Sequence, residues 1–353
     1  MTNTDPSKPA ILRWGILSTG HIAGVFARGV AATSTGKVVA VGSRTAASAE
    51  RFAKEHGIAP EHAYASYAAL LADPGVDAIY LATPHPEHVE WAVKAASAGK
   101  HVLCEKPAGM NRAEGEAMIA AARRADVLFM EAFMYRCHPQ TAKLVELVRG
   151  GAVGQVRMIQ ASFGFYCDFN PASRLWNKEL GGGGILDVGC YPMSFARLLA
   201  GAAVGKAFAD PAEVSGAGQL HPQTGVDVHA AATLRFEGGI VAQIATAVGV
   251  KLENNARIFG SEGWIEVPHP WIMSTRTGGE QVLRLHRREK AEVEEITTSG
   301  GNLYMLEAEA FASAWRAGAR AVAAMPPEDT LGNLAALDRW RAALGLRYAA
   351  DAV

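Results

Sequence analysis

The chain has 353 residues, 49% of them hydrophobic and 20% charged, a balance that fits about two globular domains and excludes a disordered or low-complexity chain. With 34 basic against 35 acidic residues and a net charge of −1, there is no basic field for nucleic acid or an anionic membrane, so a small molecule is the expected partner. Cys104, Cys137, Cys167 and Cys190 lie far apart, without a CxxC pair or zinc-type spacing, and read as reduced thiols.

Residues 1–10, MTNTDPSKPA, lack the apolar run of a signal peptide and read as a flexible polar tail. No stretch approaches about 20 uninterrupted apolar residues, so a soluble, cytoplasmic protein is expected. From Ile11 to Phe133 short apolar runs alternate with amphipathic ones. Leu12–Leu17, Val38–Gly42, Ala78–Ala82, His101–Glu105 and Val127–Glu131 read as strands. Ile22–Ala32, Ala46–Glu55, Glu87–Ala98 and Ala113–Ala125 read as helices, the third ending at Gly99. Such alternation predicts a doubly wound parallel sheet of Rossmann type, placed here at residues 1–133.

After a predicted helix at Pro139–Arg149 the texture changes. Val156–Phe165, Val228–Phe236, Ile240–Val248, Ala256–Phe259, Trp264–Val267, Val282–His286 and Val293–Thr297 read as strands, several joined by glycine-bearing turns. An open, mainly antiparallel sheet is expected, giving an α+β domain over residues 134–353 for substrate binding and oligomerisation. Helices are expected again at Leu303–Ala317 and Leu331–Tyr348.

The first strand runs into Ser18-Thr19-Gly20-His21-Ile22-Ala23 and then a helix, the arrangement that presents free backbone N–H groups to a pyrophosphate. Against G-x-G-x-x-G/A, Ser18 stands at the first glycine, Gly20 at the second and Ala23 at the third. A tight strand-to-helix turn without a ligand is the alternative. The second strand ends in Gly42-Ser43-Arg44-Thr45, where an NAD site places an acidic residue on the ribose. Arg44, with Ser43 beside it, instead suits a 2′-phosphate, so NADP is expected ahead of NAD.

Three further segments are Ala82-Thr83-Pro84-His85-Pro86-Glu87-His88, Glu105-Lys106-Pro107 and Asp187-Val188-Gly189-Cys190-Tyr191. With the fingerprint, their order and spacing resemble the glucose-fructose oxidoreductase / inositol dehydrogenase (Gfo/Idh/MocA) family over nearly the whole chain. Within it, the run from His85 through Glu105-Lys106-Pro107 to Met130-Glu131-Ala132 and Arg136 is most similar to the dimeric dihydrodiol dehydrogenase and NADP-dependent xylose dehydrogenase branch. Many members carry Asn where His85 stands and His where Tyr191 stands. The resemblance implies a Rossmann domain plus an open-sheet domain, NAD(P)-linked interconversion of an alcohol and a carbonyl, and homodimers or higher oligomers. It also implies that Glu105 lies near the nicotinamide ribose. Thr83, Pro84, His85 and His88 are expected to wall the dinucleotide.

Hydride transfer from a carbinol carbon needs a group that takes the hydroxyl proton, and Tyr191 is the candidate. An unperturbed tyrosine titrates at about 10, so a nearby cation, Lys106, is expected to stabilise its phenolate. Lys106 in direct contact with the substrate oxygen is the alternative. Asp187, four residues before Tyr191, is expected to share a helical face with it and to orient Lys106 or hold a substrate hydroxyl. The loop at residues 169–177, followed by Gly181-Gly182-Gly183-Gly184, is expected to close over a sugar, polyol or cyclic diol, with Arg174 and Trp176 touching it. Arg136 is a third substrate candidate. No metal is expected, because His85 and His88 lack accompanying ligands. Two other readings remain open: an NADP(H)-binding sensor without turnover, and a different Rossmann dehydrogenase using Cys190 as a thiolate.

Overall fold

The computed structural model describes residues 11–271 and 279–352, so the polar tail read at residues 1–10 lies outside the described residues. The first sheet contains Leu12–Leu17 (β1), Gly36–Gly42 (β2), Ala63–Tyr64 (β3), Ala78–Leu81 (β4), His101–Glu105 (β5) and Phe129–Ala132 (β6). They are parallel in the order β3-β2-β1-β4-β5-β6. Helices His21–Ala31 (α1), Ala46–His56 (α2), Tyr67–Leu71 (α3), His88–Ser97 (α4) and Arg112–Arg124 (α5) connect them. β4 is buried at every position, because helices cover both faces of such a sheet and leave no polar side to alternate with. α4 stops where Gly99 takes φ +73°, the left-handed conformation a glycine enters without steric cost. The strand order reverses between β1 and β4, which opens a crevice at the carboxyl ends of these strands.

The second sheet has eight strands: Val156–Gly164 (β7), Glu213–Leu220 (β8), Asp227–Arg235 (β9), Val241–Ala247 (β10), Ala256–Gly260 (β11), Gly263–Val267 (β12), Gly279–Arg287 (β13) and Val293–Gly300 (β14). Their order is β14-β13-β12-β11-β7-β10-β9-β8, antiparallel apart from the β7–β10 pair. The expected open, mainly antiparallel sheet is therefore present, with β8 added to the strands read from the sequence. Pro139–Arg149 (α6) precedes this sheet, and Cys190–Ala203 (α7), buried along almost its whole length, packs across β7 and β10.

The two C-terminal helices, Leu303–Arg316 (α8) and Pro327–Ala343 (α9), turn back onto the first sheet's helices. α8 lies against α1 so closely that a Cβ on Gly29 would stand 2.7 Å from that of Tyr304, and one on Gly115 of α5 would stand 2.5 Å from Leu334 of α9. Glycine at these two points lets the helices close. α9 starts four residues before the predicted Leu331 and ends before Gly345. Pro327 sits in its first turn with Glu328 and Asp329, residues that suit a helix start.

Candidate active site

A cleft of about 940 Å³ lies where the carboxyl ends of β1, β2, β4 and β5 face the second domain. Its first end is built by the turn after β1. Ser18 takes φ +99°, the conformation the usual glycine supplies, and its N–H donates to the Gly42 carbonyl at 2.9 Å. Gly20 caps α1 in an extended conformation, no side chain caps the helix, and the first turn holds no acidic residue. A Cβ on Gly20 would meet nothing nearer than Ser18 Oγ at 3.9 Å, so nothing within the chain demands glycine there. Uncapped N–H groups and open space in front of them fit a diphosphate. Thr19, His21 and Ile22 line the same end, and the Thr19 and Ser43 hydroxyls lie 3.4 Å apart.

Beside it, β2 ends at Ser43 and Arg44, and Thr45 caps α2 by accepting the Ser48 N–H at 3.3 Å. α2 likewise has no acidic residue in its first turn. Arg44 is exposed, and Tyr67, edge-on to Trp91, faces it across the cleft. This end offers a guanidinium, hydroxyls and a helix N-terminus to a second anionic group.

At the other end, Lys106 leaves the tip of β5, with its peptide bond to Pro107 cis. The Lys106 ammonium donates to the Asp187 carbonyl at 2.7 Å, stands 3.9 Å from Asp187 Oδ1 and lies 5.2 Å over the Tyr191 ring. Residues 185–189 form a π-helical turn leading into α7, so Asp187 and Tyr191 both line the cleft, as their spacing predicts. Arg174 donates to Asp187 Oδ1 at 2.8 Å. Burial pushes the Asp187 carboxyl up, but Lys106 and Arg174 outweigh it and hold the group below the ordinary carboxylate range.

Glu105 accepts from the Tyr80 hydroxyl and from the Lys106 N–H at 3.2 Å, and burial raises its pKa. Burial likewise lifts the Tyr191 phenol well above its usual value. This corrects the phenolate expected from the sequence. The Lys106 ammonium sits over the ring face, engaged with Asp187, while the Tyr191 hydroxyl points at Met134 Sδ, 3.4 Å away. Tyr191 is thus held as a protonated phenol. Burial and the nearby Arg174 keep the His85 imidazole neutral, with Nδ1 free of any partner among the described residues. Thr83 and Pro84 line the wall beside it.

Three expected site residues stand elsewhere. His88 is wholly buried behind the wall. Its Nε2 lies 2.9 Å from the Thr83 carbonyl, and its Nδ1 lies 3.0 Å and 3.2 Å from those of Pro107 and Ala108, so it clasps two loops of the cleft from behind. Arg136 is buried at the domain junction, its Nη2 2.5 Å from Asp329 and its Nε donating to the Ala324 carbonyl. Trp176 is 3% exposed, donates to the Asp168 carbonyl at 2.9 Å and packs edge-on to Phe169 and His221. The four glycines that follow the loop at residues 169–177 form a packed turn. Gly183, at φ +107°, would put a Cβ 2.2 Å from Asp227 Oδ1, so the turn is tightly seated. Cys190 is buried, with its thiol pushed far up by burial, which disposes of the thiolate reading.

Residues that sequence reasoning missed also line the cleft: Tyr67, Phe163, Phe165, Val188 and Tyr304. Phe163 and Phe165 sit on and just after the strand β7, and Tyr304 opens α8. Only tertiary packing brings them here, so the local sequence held no signal for them. Chemically, the cleft joins an anion-binding turn to a proton donor beside a cation, the parts that a nicotinamide-dependent reaction at a carbonyl requires.

Comparisons with known proteins identify the family and the fold. Residues 12–133 match the family described as an oxidoreductase family with an NAD-binding Rossmann fold, and residues 141–266 match the GFO/IDH/MocA C-terminal domain. The chain is 37% identical to the trans-1,2-dihydrobenzene-1,2-diol dehydrogenase of Mus musculus over 74% of its own length and 75% of that protein. Its identity with the enzyme of that name in Danio rerio is 39%, again over 74% and 75%. Among solved structures, a 3-ketoreductase from Actinomadura kijaniata in complex with NADP and TDP-benzene superposes with a TM-score of 0.85 at 28% identity, covering 95% of this chain and 98% of that one. An aldose-aldose oxidoreductase from Caulobacter crescentus gives a TM-score of 0.83 at 26% identity, over 95% and 97%.

Proposed function

The chain belongs to the Gfo/Idh/MocA oxidoreductase family and is an NAD(P)-dependent oxidoreductase acting on CH–OH groups, and from that premise we propose the reaction, the cofactor preference and the residues that carry them. The reaction is the interconversion of an alcohol and a carbonyl on a sugar, polyol or cyclic diol, with NADP(H) preferred over NAD(H). One observation carries the reading: a single cleft holds the uncapped turn after β1, Arg44, and the group Lys106, Asp187 and Tyr191.

When bound, the nicotinamide supplies or accepts the hydride. Ser18, Thr19, Gly20, His21 and Ile22 would hold the diphosphate, Ser43 and Arg44 the 2′-phosphate, and Thr83, Pro84, His85 and Glu105 the nicotinamide half. In the reductive direction Tyr191 gives its phenolic proton to the carbonyl oxygen as the carbon gains hydride, and Lys106 neutralises the charge developing on that oxygen. Asp187 positions Lys106 through its backbone carbonyl and its carboxylate. In oxidation the proton returns to Tyr191. A buried phenol with a raised pKa favours the reductive half at neutral pH, so the oxidative rate should climb with pH beyond the ordinary tyrosine range.

We also propose that residues 1–133 form the cofactor domain, that residues 134–353 bind substrate and oligomerise, and that the enzyme is a cytoplasmic homodimer. The exposed outer face of β8, β9 and β10, with Ser215, Thr233 and Gln243, supports a partner copy there. Among the described residues no helix is long and apolar enough to cross a membrane. The test is KM for NADPH and NADPH-free NADH in parallel, with Arg44→Ala alongside. The proposal expects a lower KM for NADPH and loss of that preference in the variant, and a clear NADH preference in the unaltered enzyme overturns it.

A further inference from the structure

The substrate end of the cleft has a guanidinium edge without an acceptor. Arg174 carries five N–H donors, of which Nη2 is bonded to Asp187 Oδ1 at 2.8 Å. Its side chain is 40% exposed in the cleft, while Nη1 is closed off and has no hydrogen-bond partner among the described residues. Asp187 does not answer Arg174 alone, because the same Oδ1 stands 3.9 Å from the Lys106 ammonium. Glu105 is engaged by the Tyr80 hydroxyl and the Lys106 N–H. Two cations therefore share two carboxylates, and an oxidised nicotinamide would bring a third positive charge. A buried guanidinium edge with no acceptor is costly to leave unmade, and an anionic oxygen answers it better than a neutral one. Phe163, Phe165 and Val188 make the neighbouring wall apolar.

We propose that the Arg174 guanidinium is the anchor of a carboxylate subsite, and that the substrate is an alcohol carrying an apolar, ring-sized body and a carboxylate, bound with the carboxylate on Arg174 and the carbinol toward Lys106 and Tyr191. The inference rests on the alcohol–carbonyl reading of the same cleft and narrows its substrate class. Because the oxidised cofactor adds positive charge, the carboxylate binds more tightly to the NADP⁺ complex than to the NADPH complex.

The test is titration calorimetry of the full-length protein saturated with NADP⁺ or NADPH, using cyclohexanecarboxylate and its neutral carboxamide as unreactive probes. The expected result is carboxylate binding about tenfold or more tighter than carboxamide in the NADP⁺ complex, a smaller margin with NADPH, collapse of the margin in Arg174→Gln and partial retention in Arg174→Lys. NADPH affinity, measured in each variant, reports that the fold and the cofactor end are intact. Equal binding of the two probes, or a margin that survives Arg174→Gln, overturns the proposal. The two readings separate cleanly. Turnover of neutral diols without a carboxylate preference removes this subsite and leaves the oxidoreductase, whereas the Arg174-dependent margin without turnover of any alcohol keeps the subsite and removes the reaction.

Discussion

Two ionic clusters in this protein, one wholly buried and one opening on the cleft, look alike in the sequence and differ in the structure. At the domain junction, Asp329 takes Arg136 at 2.5 Å and Arg197 at 2.5 Å, and Arg197 also holds Asp210 at 2.6 Å. Ser194 Oγ and the Ala324 carbonyl lie within hydrogen-bonding distance of the rest of the Arg136 guanidinium. In the cleft, Lys106, Asp187 and Arg174 also cluster, but the Lys106–Asp187 carboxylate distance is 3.9 Å and one edge of Arg174 is unpartnered. The saturated cluster joins the segment after β6 to α7 and α9, whereas the unsaturated one keeps donors available for a ligand. Burial of charge therefore does not mark a functional site by itself, and leftover hydrogen-bonding capacity beside a cavity is the better sign.

The largest expected effect breaks the cleft cluster. Replacing Lys106 with Met should lower kcat by about 10²–10⁴-fold with little change in thermal stability, measured by steady-state rates and calorimetry on the same preparation. The complementary break is Asp329→Ala, which leaves two buried guanidinium groups without their shared carboxylate. It should cost about 3–5 kcal/mol of stability, seen in denaturant unfolding, while kcat per folded molecule stays unchanged. If the two variants exchanged phenotypes, the division between the clusters would be wrong.

A smaller effect concerns how the turn carrying Asp187 is held. Asp227 accepts the Ile185 N–H at 2.7 Å at the start of the turn that carries Asp187. Burial, only partly offset by that N–H and its neighbours, raises the carboxyl to about 7. An acid whose pKa rises on folding contributes stability that is present below its unfolded value of about 4 and lost as pH rises through about 7. Asp227→Asn should keep the acceptor and flatten the dependence of melting temperature on pH across that window, and an unchanged slope would remove Asp227 from the role. The smallest effect belongs to Trp176→Phe, expected to shift substrate KM less than twofold because the indole packs away from the cleft.

The sequence carried the first domain well, because parallel strands covered on both faces read as near-continuous apolar runs; β1 and β5 fall where the runs are. β8, Glu-Val-Ser-Gly-Ala-Gly-Gln-Leu, has no such run. It is held by pairing with β9, and its Gly216 lies against Trp340, so no periodicity announced it. In the site, Lys106, Asp187 and Tyr191 were legible as motif residues at fixed spacing, and the structure brings them together. Arg136, His88 and Trp176 were misplaced because a polar or aromatic residue near a motif looks the same whether its partner is a ligand or a carbonyl of its own chain. Tyr304 and Tyr67 come from segments that only tertiary packing delivers to the cleft. The ammonium's position over the Tyr191 ring, rather than at its hydroxyl, was likewise beyond any spacing argument.

The proposed proton transfer by Tyr191 at the end of the nicotinamide cleft is read out by single-turnover absorbance of the reduced nicotinamide. NADPH-loaded enzyme and its Tyr191→Phe variant would be mixed with the carbonyl forms of sugars, cyclic diols and ring-bearing hydroxy acids. The expected result is rapid NADPH oxidation with at least one of them, slowed about 10²-fold or more in the variant at unchanged NADPH affinity. Tight NADPH binding with no turnover across the panel, or a variant as fast as the parent, would contradict it.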